Sequence, residues 1–168
     1  MKFNQDIFIQ QGINDCQIDQ LIDFSNNDPL VKENTSDPTR FQDHNSFKEW
    51  LKKGRIIYTL IDKNSNLLGI TWFGQKQAPQ GISADFTFAL RLYNPARGKN
   101  LATSFVNFVL SDLLENKKEI KKLWLETSKN NIAAIKTYQK VGFKKVKELE
   151  NDRIIMTLNI NKINYGQD

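Results

Sequence analysis

The chain has 168 residues, a formal net charge of +5, and 39 % hydrophobic and 26 % charged residues. That size and balance fit one ordinary globular domain, and they exclude a disordered chain or a core that needs metals or disulfides. The single cysteine, Cys16, excludes an internal disulfide and suits a reducing compartment.

In chain order, the opening MKFNQDIFIQ lacks the apolar stretch of a secretory signal. No apolar run approaches the roughly 20 residues of a membrane helix. The expectation is a soluble, cytoplasmic protein with no membrane partner. Residues 6–10 alternate as a first strand. Residues 14–26 read as a helix with Ile18, Leu21, Ile22 and Phe24 on its apolar face and Cys16 as a small filler. Residues 27–45 carry two prolines and few apolar residues, and read as a loop or a broken helical turn. A short helix over 47–53 stops at Gly54.

Three strands follow, over 55–62, 66–75 and 82–93, the first two joined by the turn Lys63-Asn64-Ser65. The third has Ala84, Phe86, Phe88, Leu90 and Leu92 on one face. Its other face carries Asp85, Thr87, Ala89, Arg91 and Tyr93, which suggests that it looks into a cleft. Beyond Pro95 the period becomes helical. Leu101, Phe105, Phe108, Val109 and Leu113 predict a helix over 99–115. A strand over 122–127, a helix over 131–140 ended by Gly142, and strands over 143–150 and 153–160 complete the pattern. Residues 161–168 read as a loose tail. No linker or repeat divides the chain, so the expectation is one domain over 1–168. Three consecutive strands followed by strand–helix–strand predict a mixed α/β sheet with helices on both faces.

Chemistry concentrates in Leu90-Arg-Leu-Tyr-Asn-Pro-Ala-Arg-Gly-Lys-Asn-Leu-Ala102. A strand ends there, and a basic loop of small residues opens directly into a helix. Free N–H groups and the helix dipole favour an anion at such a place, and Gly98 and Ala102 allow close approach. Arg97 and Lys99 add positive charge. The loop lacks the Gly-Lys-Ser/Thr of a Walker A motif and the three glycines of a Rossmann motif. A second stretch, Leu123-Trp-Leu-Glu126 followed by Asn131-Ile-Ala-Ala134 and Tyr138-Gln-Lys-Val-Gly-Phe143, lies downstream.

Together the two stretches resemble the GCN5-related N-acetyltransferase (GNAT) family. Its loop pattern Arg/Gln-x-x-Gly-x-Gly/Ala is met at both ends of Arg97 to Ala102, with Asn100 in place of the central glycine. Asn131, Ala134, Tyr138, Gly142 and Phe143 match its later signature. Asn is the next most tolerant residue after Gly where φ is positive.

The resemblance implies an α+β GNAT fold. Its sheet is mixed, mostly antiparallel and seven-stranded, with a central parallel strand pair and four helices on both faces. It also implies transfer of an acetyl group from acetyl-CoA to a primary amine, with no metal. The backbone of Leu90, Arg91 and Leu92 would pair with the pantetheine arm. The amides of Gly98, Lys99, Asn100, Leu101, Ala102 and Thr103 would hold the pyrophosphate. Asn131 would bond the cofactor arm or simply cap its helix. Tyr138 would protonate the departing thiolate, or else pack the helix on the sheet. Glu126 and Asp85 are the candidate general bases, and an N–H near Leu92 would meet the oxyanion. His44, in a polar loop, and the tryptophans Trp50, Trp72 and Trp124 are weaker candidates.

The acceptor stays open among a small molecule, a peptide N-terminus, a lysine and an aminoacyl-tRNA, as does a homodimer. The rival readings are a GNAT-type toxin acting on aminoacyl-tRNA, a non-catalytic CoA-binding domain, and a nucleic-acid-binding domain that uses the basic face.

Overall fold

The computed structural model describes residues 2–4, 6–117 and 119–160. The residues expected as a loose tail, 161–168, lie outside the described residues. The chain divides into two compact units, Met1–Gly74 with Ala89–Leu101 and Gln75–Phe88 with Ala102–Asp168.

The first unit begins with antiparallel strands. They are β1 (Lys2–Asn4), β2 (Ile7–Gln11), β3 (Ile56–Asp62) and β4 (Leu67–Gln75). Ile9 lies opposite Leu60, and Tyr58 opposite Thr71. Strands β2 and β3 are linked through four helices. The first, α1 (Asp15–Asn27), starts at a capping box: the Asn14 side chain accepts the Gln17 N–H at 2.9 Å, and the Gln17 side chain accepts the Asn14 N–H at 3.2 Å. Helices α2 (Pro29–Asn34) and α3 (Asp37–Arg40) are short. Asp28 caps the former, accepting the N–H groups of Leu30 and Val31 at 3.0 and 3.3 Å. Asp43 caps α4 (His44–Leu51), and the Ser46 backbone N–H that it accepts at 2.7 Å holds its carboxyl below the usual aspartate range. The core of this unit gathers Leu21, Phe41, Phe47, Trp50, Ile70 and Trp72, with Tyr93 stacked on Phe24 at 4.3 Å.

The second unit holds β6 (Lys122–Ser128), β7 (Lys144–Glu148) and β8 (Arg153–Asn159), with β8 antiparallel to both of the others. Strand β5 (Phe86–Leu92) gives its first three residues to this unit and its last four to the first. Its parallel register with β6 sets Phe86 opposite Leu123 and Thr87 opposite Trp124. Helix α5 (Leu101–Asn116) connects them, burying Phe105, Val106, Val109, Leu110 and Leu113 at helical spacing. Helix α6 (Ile132–Val141) ends at Gly142, whose φ of 106° forms a left-handed cap.

The expected mixed α+β class, with its parallel pair, is what the chain forms. All seven expected strands are present, and the short β1 adds one that the sequence did not announce. The 27–45 segment contains helices α2 and α3. The expected strand over 82–93 starts only at Phe86, because Ile82 and Ala84 bond locally to the carbonyls of Pro79 and Ile82. Cys16 is exposed on α1 and fills no core. Among the described residues no helix is long and apolar enough to cross a membrane.

Candidate active site

Strand β5 ends at Leu92, and Asn94–Ala96 make one 3-10 turn. The loop 97–100 then runs into α5 at Leu101. Two residues of this loop are left-handed, Gly98 at φ 75° and Asn100 at φ 56°. Such a backbone turns successive N–H groups toward a common point, a geometry suited to an anion. Asn100 thus adopts the conformation that a glycine would take there, and it is exposed. A Cβ built on Gly98 meets nothing within 4 Å, so glycine is needed for its φ and not for space.

The side chains of the strand and loop are already engaged. Arg97 donates from Nε to the Leu92 carbonyl at 2.7 Å and from Nη1 to Asp28 at 2.8 Å. Arg91 donates to the carboxylate of Asp37 and, from Nη1, to the Leu90 carbonyl at 2.9 Å. On this face of β5, which the sequence suggests looks into a cleft, the arginine side chain is therefore paired and only partly exposed. Ala89 and Tyr93 pack into the core there, and the Arg91 guanidinium lies 5.0 Å from the Trp72 ring centre. The Arg97 and Lys99 N–H groups donate to the Tyr93 and Ala96 carbonyls at 3.1 and 3.4 Å, which leaves the amides of Gly98 and Asn100 and the exposed Lys99 side chain as the loop's means of meeting an anion.

In the second unit, the shared register of Thr87 and Trp124 puts Glu126, two residues on, on their face of the sheet. Glu126 is exposed and ion-paired with Arg153 of β8, so a base at this position would first have to release that guanidinium. Asp85 is exposed just before β5, and its carbonyl accepts the Lys76 N–H at 2.8 Å. Phe88 points to the opposite face. Tyr138 meets it edge-on at 6.1 Å, and Phe143 stacks on it at 5.5 Å. Tyr138 is 5 % exposed. Asn131 caps α6, its side chain accepting the Ala134 N–H at 3.2 Å.

A family model described as an acetyltransferase (GNAT) domain matches residues 15–144, which include the whole loop and the Asn131–Tyr138 signature. The chain belongs to the GNAT acetyltransferase family. This GNAT protein is an acetyl-CoA-dependent N-acetyltransferase, with acetyl-CoA as its acyl donor. Solved structures share its fold. One is the spermidine N-acetyltransferase of Vibrio cholerae in complex with CoA and spermine, at 16 % identity and TM-score 0.71, covering 95 % of this chain and 98 % of that one. Another is AAC(6')-Ib in complex with ribostamycin and coenzyme A, at 17 % identity and TM-score 0.71, covering 98 % and 100 %. A domain from Methanocaldococcus jannaschii follows at 20 % identity and TM-score 0.69, covering 92 % and 99 %. No curated protein sequence matches significantly.

Sequence reasoning missed Asp28 and Asp37, the two carboxylates that hold Arg97 and Arg91 in this GNAT domain. They lie 69 and 54 residues away from their partners, inside a segment whose composition reads as loop. Asp28 caps α2 and Asp37 opens α3, and nothing local pointed to the distant arginines. His44, expected in a polar loop, opens α4 and pairs with Asp19 at 2.7 Å on an exposed surface.

Proposed function

We propose that the enzyme transfers acetyl from acetyl-CoA to a primary amine by direct attack within a ternary complex. The observation that carries this reading is the left-handed pair Gly98 and Asn100 at the mouth of α5, inside a loop that fits the family pattern. The amides of Gly98, Asn100, Leu101, Ala102 and Thr103 hold the pyrophosphate, aided by the Lys99 side chain and the helix dipole. The Leu90, Arg91 and Leu92 backbone pairs with the pantetheine arm as an added strand would. The oxygen of Asn131 is taken by its own helix, so the side-chain NH2 is the group that meets the arm.

The amine nitrogen attacks the thioester carbonyl carbon, and the Leu92 region offers an N–H to the oxyanion. As the C–S bond breaks, Tyr138 gives its proton to the thiolate. An amine whose pKa is about 8 to 10.4 must shed a proton first, and Glu126 or Asp85 takes it directly or through water. Glu126 and Tyr138 belong to opposite faces of their sheet, which supports separate routes for the two protons. Spermine and ribostamycin, found with the structural relatives, both present amines, which fits an amine acceptor here.

Initial-rate kinetics with acetyl-CoA and an amine panel, read by thiol release, test this. Intersecting double-reciprocal lines are expected. Parallel lines would instead mean an acetylated enzyme intermediate and would overturn direct attack.

A further inference from the structure

A second group of charged side chains, all within residues 1–74 and 89–101, has no part in holding the donor. Asp37 is fully buried and takes Arg91 through two bonds, Nε to Oδ2 at 2.5 Å and Nη2 to Oδ1 at 3.1 Å, while Arg40 bonds the same carboxylate. Around it the tryptophans stand edge to face, with Trp50 and Trp72 at 5.3 Å. Each is overlaid by guanidinium: Arg91 lies 5.0 Å and Arg40 5.7 Å from the Trp72 ring, and Arg55 5.7 Å from the Trp50 ring. Two arginines therefore share one carboxylate, and a third lies on the neighbouring ring.

The surplus is felt. Burial holds the Arg40 guanidinium below its ordinary value; Asp37 opposes that shift, while Arg91 and Arg55 add to it. Arg55 has no share in Asp37. Its Nε and Nη1 are buried without a hydrogen-bond partner, a costly state for a cation. It is nonetheless built into the fold. A Cβ on Gly74 would fall 1.9 Å from Arg55 Nη1, so the guanidinium occupies room that only glycine leaves.

We propose that this cluster is an anion subsite for the acceptor, so that the amine accepted here also carries a carboxylate or a phosphate, bound by Arg40 and Arg55. This rests on the reading that Leu90 to Leu92 hold the donor arm. Arg91 then serves both substrates, giving its backbone to the donor and its side chain to the subsite. An anion there meets the part-exposed residues Arg40 and Arg55 and neutralises the surplus. A polycationic amine meets like charge and is disfavoured.

The test uses the full chain with CoA bound and follows tryptophan fluorescence, since Trp50 and Trp72 line the cluster. Phenylalanine is compared with phenylalaninamide, O-phosphoethanolamine with ethanolamine, and spermidine serves as the polycation. The expected result is at least tenfold tighter binding of one anionic member than of its neutral mate, and the pair that responds tells carboxylate from phosphate. Arg55→Gln should bring that ratio near one while the calorimetric Kd for acetyl-CoA stays unchanged. Gly74→Ala, which displaces Arg55 by another route, should do the same. Equal binding of anionic and neutral members, preference for spermidine, no response to any probe, or a ratio that survives both variants would each overturn the subsite. Failure of the unaltered protein to bind acetyl-CoA would sink the donor reading instead. The fluorescence ratio, measured without cofactor, would still decide this proposal.

Discussion

Two aromatic groups in this molecule look alike in composition and differ in what surrounds them. In the first unit Phe41, Trp50 and Trp72 are laced with Arg40, Arg55, Arg91 and the buried Asp37. In the second, Phe88, Tyr138 and Phe143 pack against one another, and the phenol is their one polar group. Charges buried among rings hold position only through exact pairing, so the first group is sensitive to loss of any partner. An apolar trio is held by packing and tolerates the loss of one hydroxyl. The same aromatic chemistry thus sits among charges in one place and around a single phenol in the other.

The sharpest way to break the comparison is Asp37→Ala. It leaves two guanidinium groups without their carboxylate, and a loss of about 3–5 kcal/mol in urea unfolding is expected. A loss under about 1 kcal/mol would mean that the arginines find water and that the cluster is not truly buried. Next is Tyr138→Phe, which keeps the ring and removes the proton. Turnover should fall by about a hundredfold or more, with the Kd for acetyl-CoA and the Tm little changed. Unchanged turnover would remove Tyr138 as the acid and leave it as packing.

A smaller effect is expected at the loop. Gly98→Ala forces a side chain into φ 75° and should cost about 1 kcal/mol of stability while weakening acetyl-CoA binding. Asn100→Gly relaxes φ 56° and should bind acetyl-CoA as well or better; a clear loss would show that the Asn side chain makes a contact of its own. The smallest is Tyr93→Phe. That hydroxyl is fully buried with no hydrogen-bond partner, and burial pushes its ionisation well above the ordinary tyrosine range. Removing it should leave Tm equal or slightly raised. A drop of several degrees would reveal a hidden partner.

Much of the fold was legible because its signals are local. Apolar spacing gave α1, α5 and α6, alternation gave most strands, and Gly142 marked the end of α6. The loop before α5 was legible for the same reason, since Gly98 and Asn100 carry their backbone preference in their identity. The errors have local causes as well. Residues 82–85 alternate like a strand, but the N–H groups of Ile82 and Ala84 donate locally to the carbonyls of Pro79 and Ile82. Helices α2 and α3 are too short to show a period. The pairing of Arg91 with Asp37 was hidden because charge pairing across such a gap in sequence leaves no mark on either neighbourhood. The anion subsite was hidden for that reason. Its arginines and tryptophans come from α3, α4, β4, β5 and the approach to β3, and only the fold assembles them.

Asp28 joins two parts of the chain that are read separately in sequence. One carboxylate closes the turn between α1 and α2 by accepting the N–H groups of Leu30 and Val31, and also fastens Arg97 at the root of the loop before α5. The loop's anchorage and the helical arm's geometry therefore share a hinge pin. Drift in either segment is transmitted to the other, and substitutions at positions 28 and 97 should be strongly non-additive, each exposing the same broken joint.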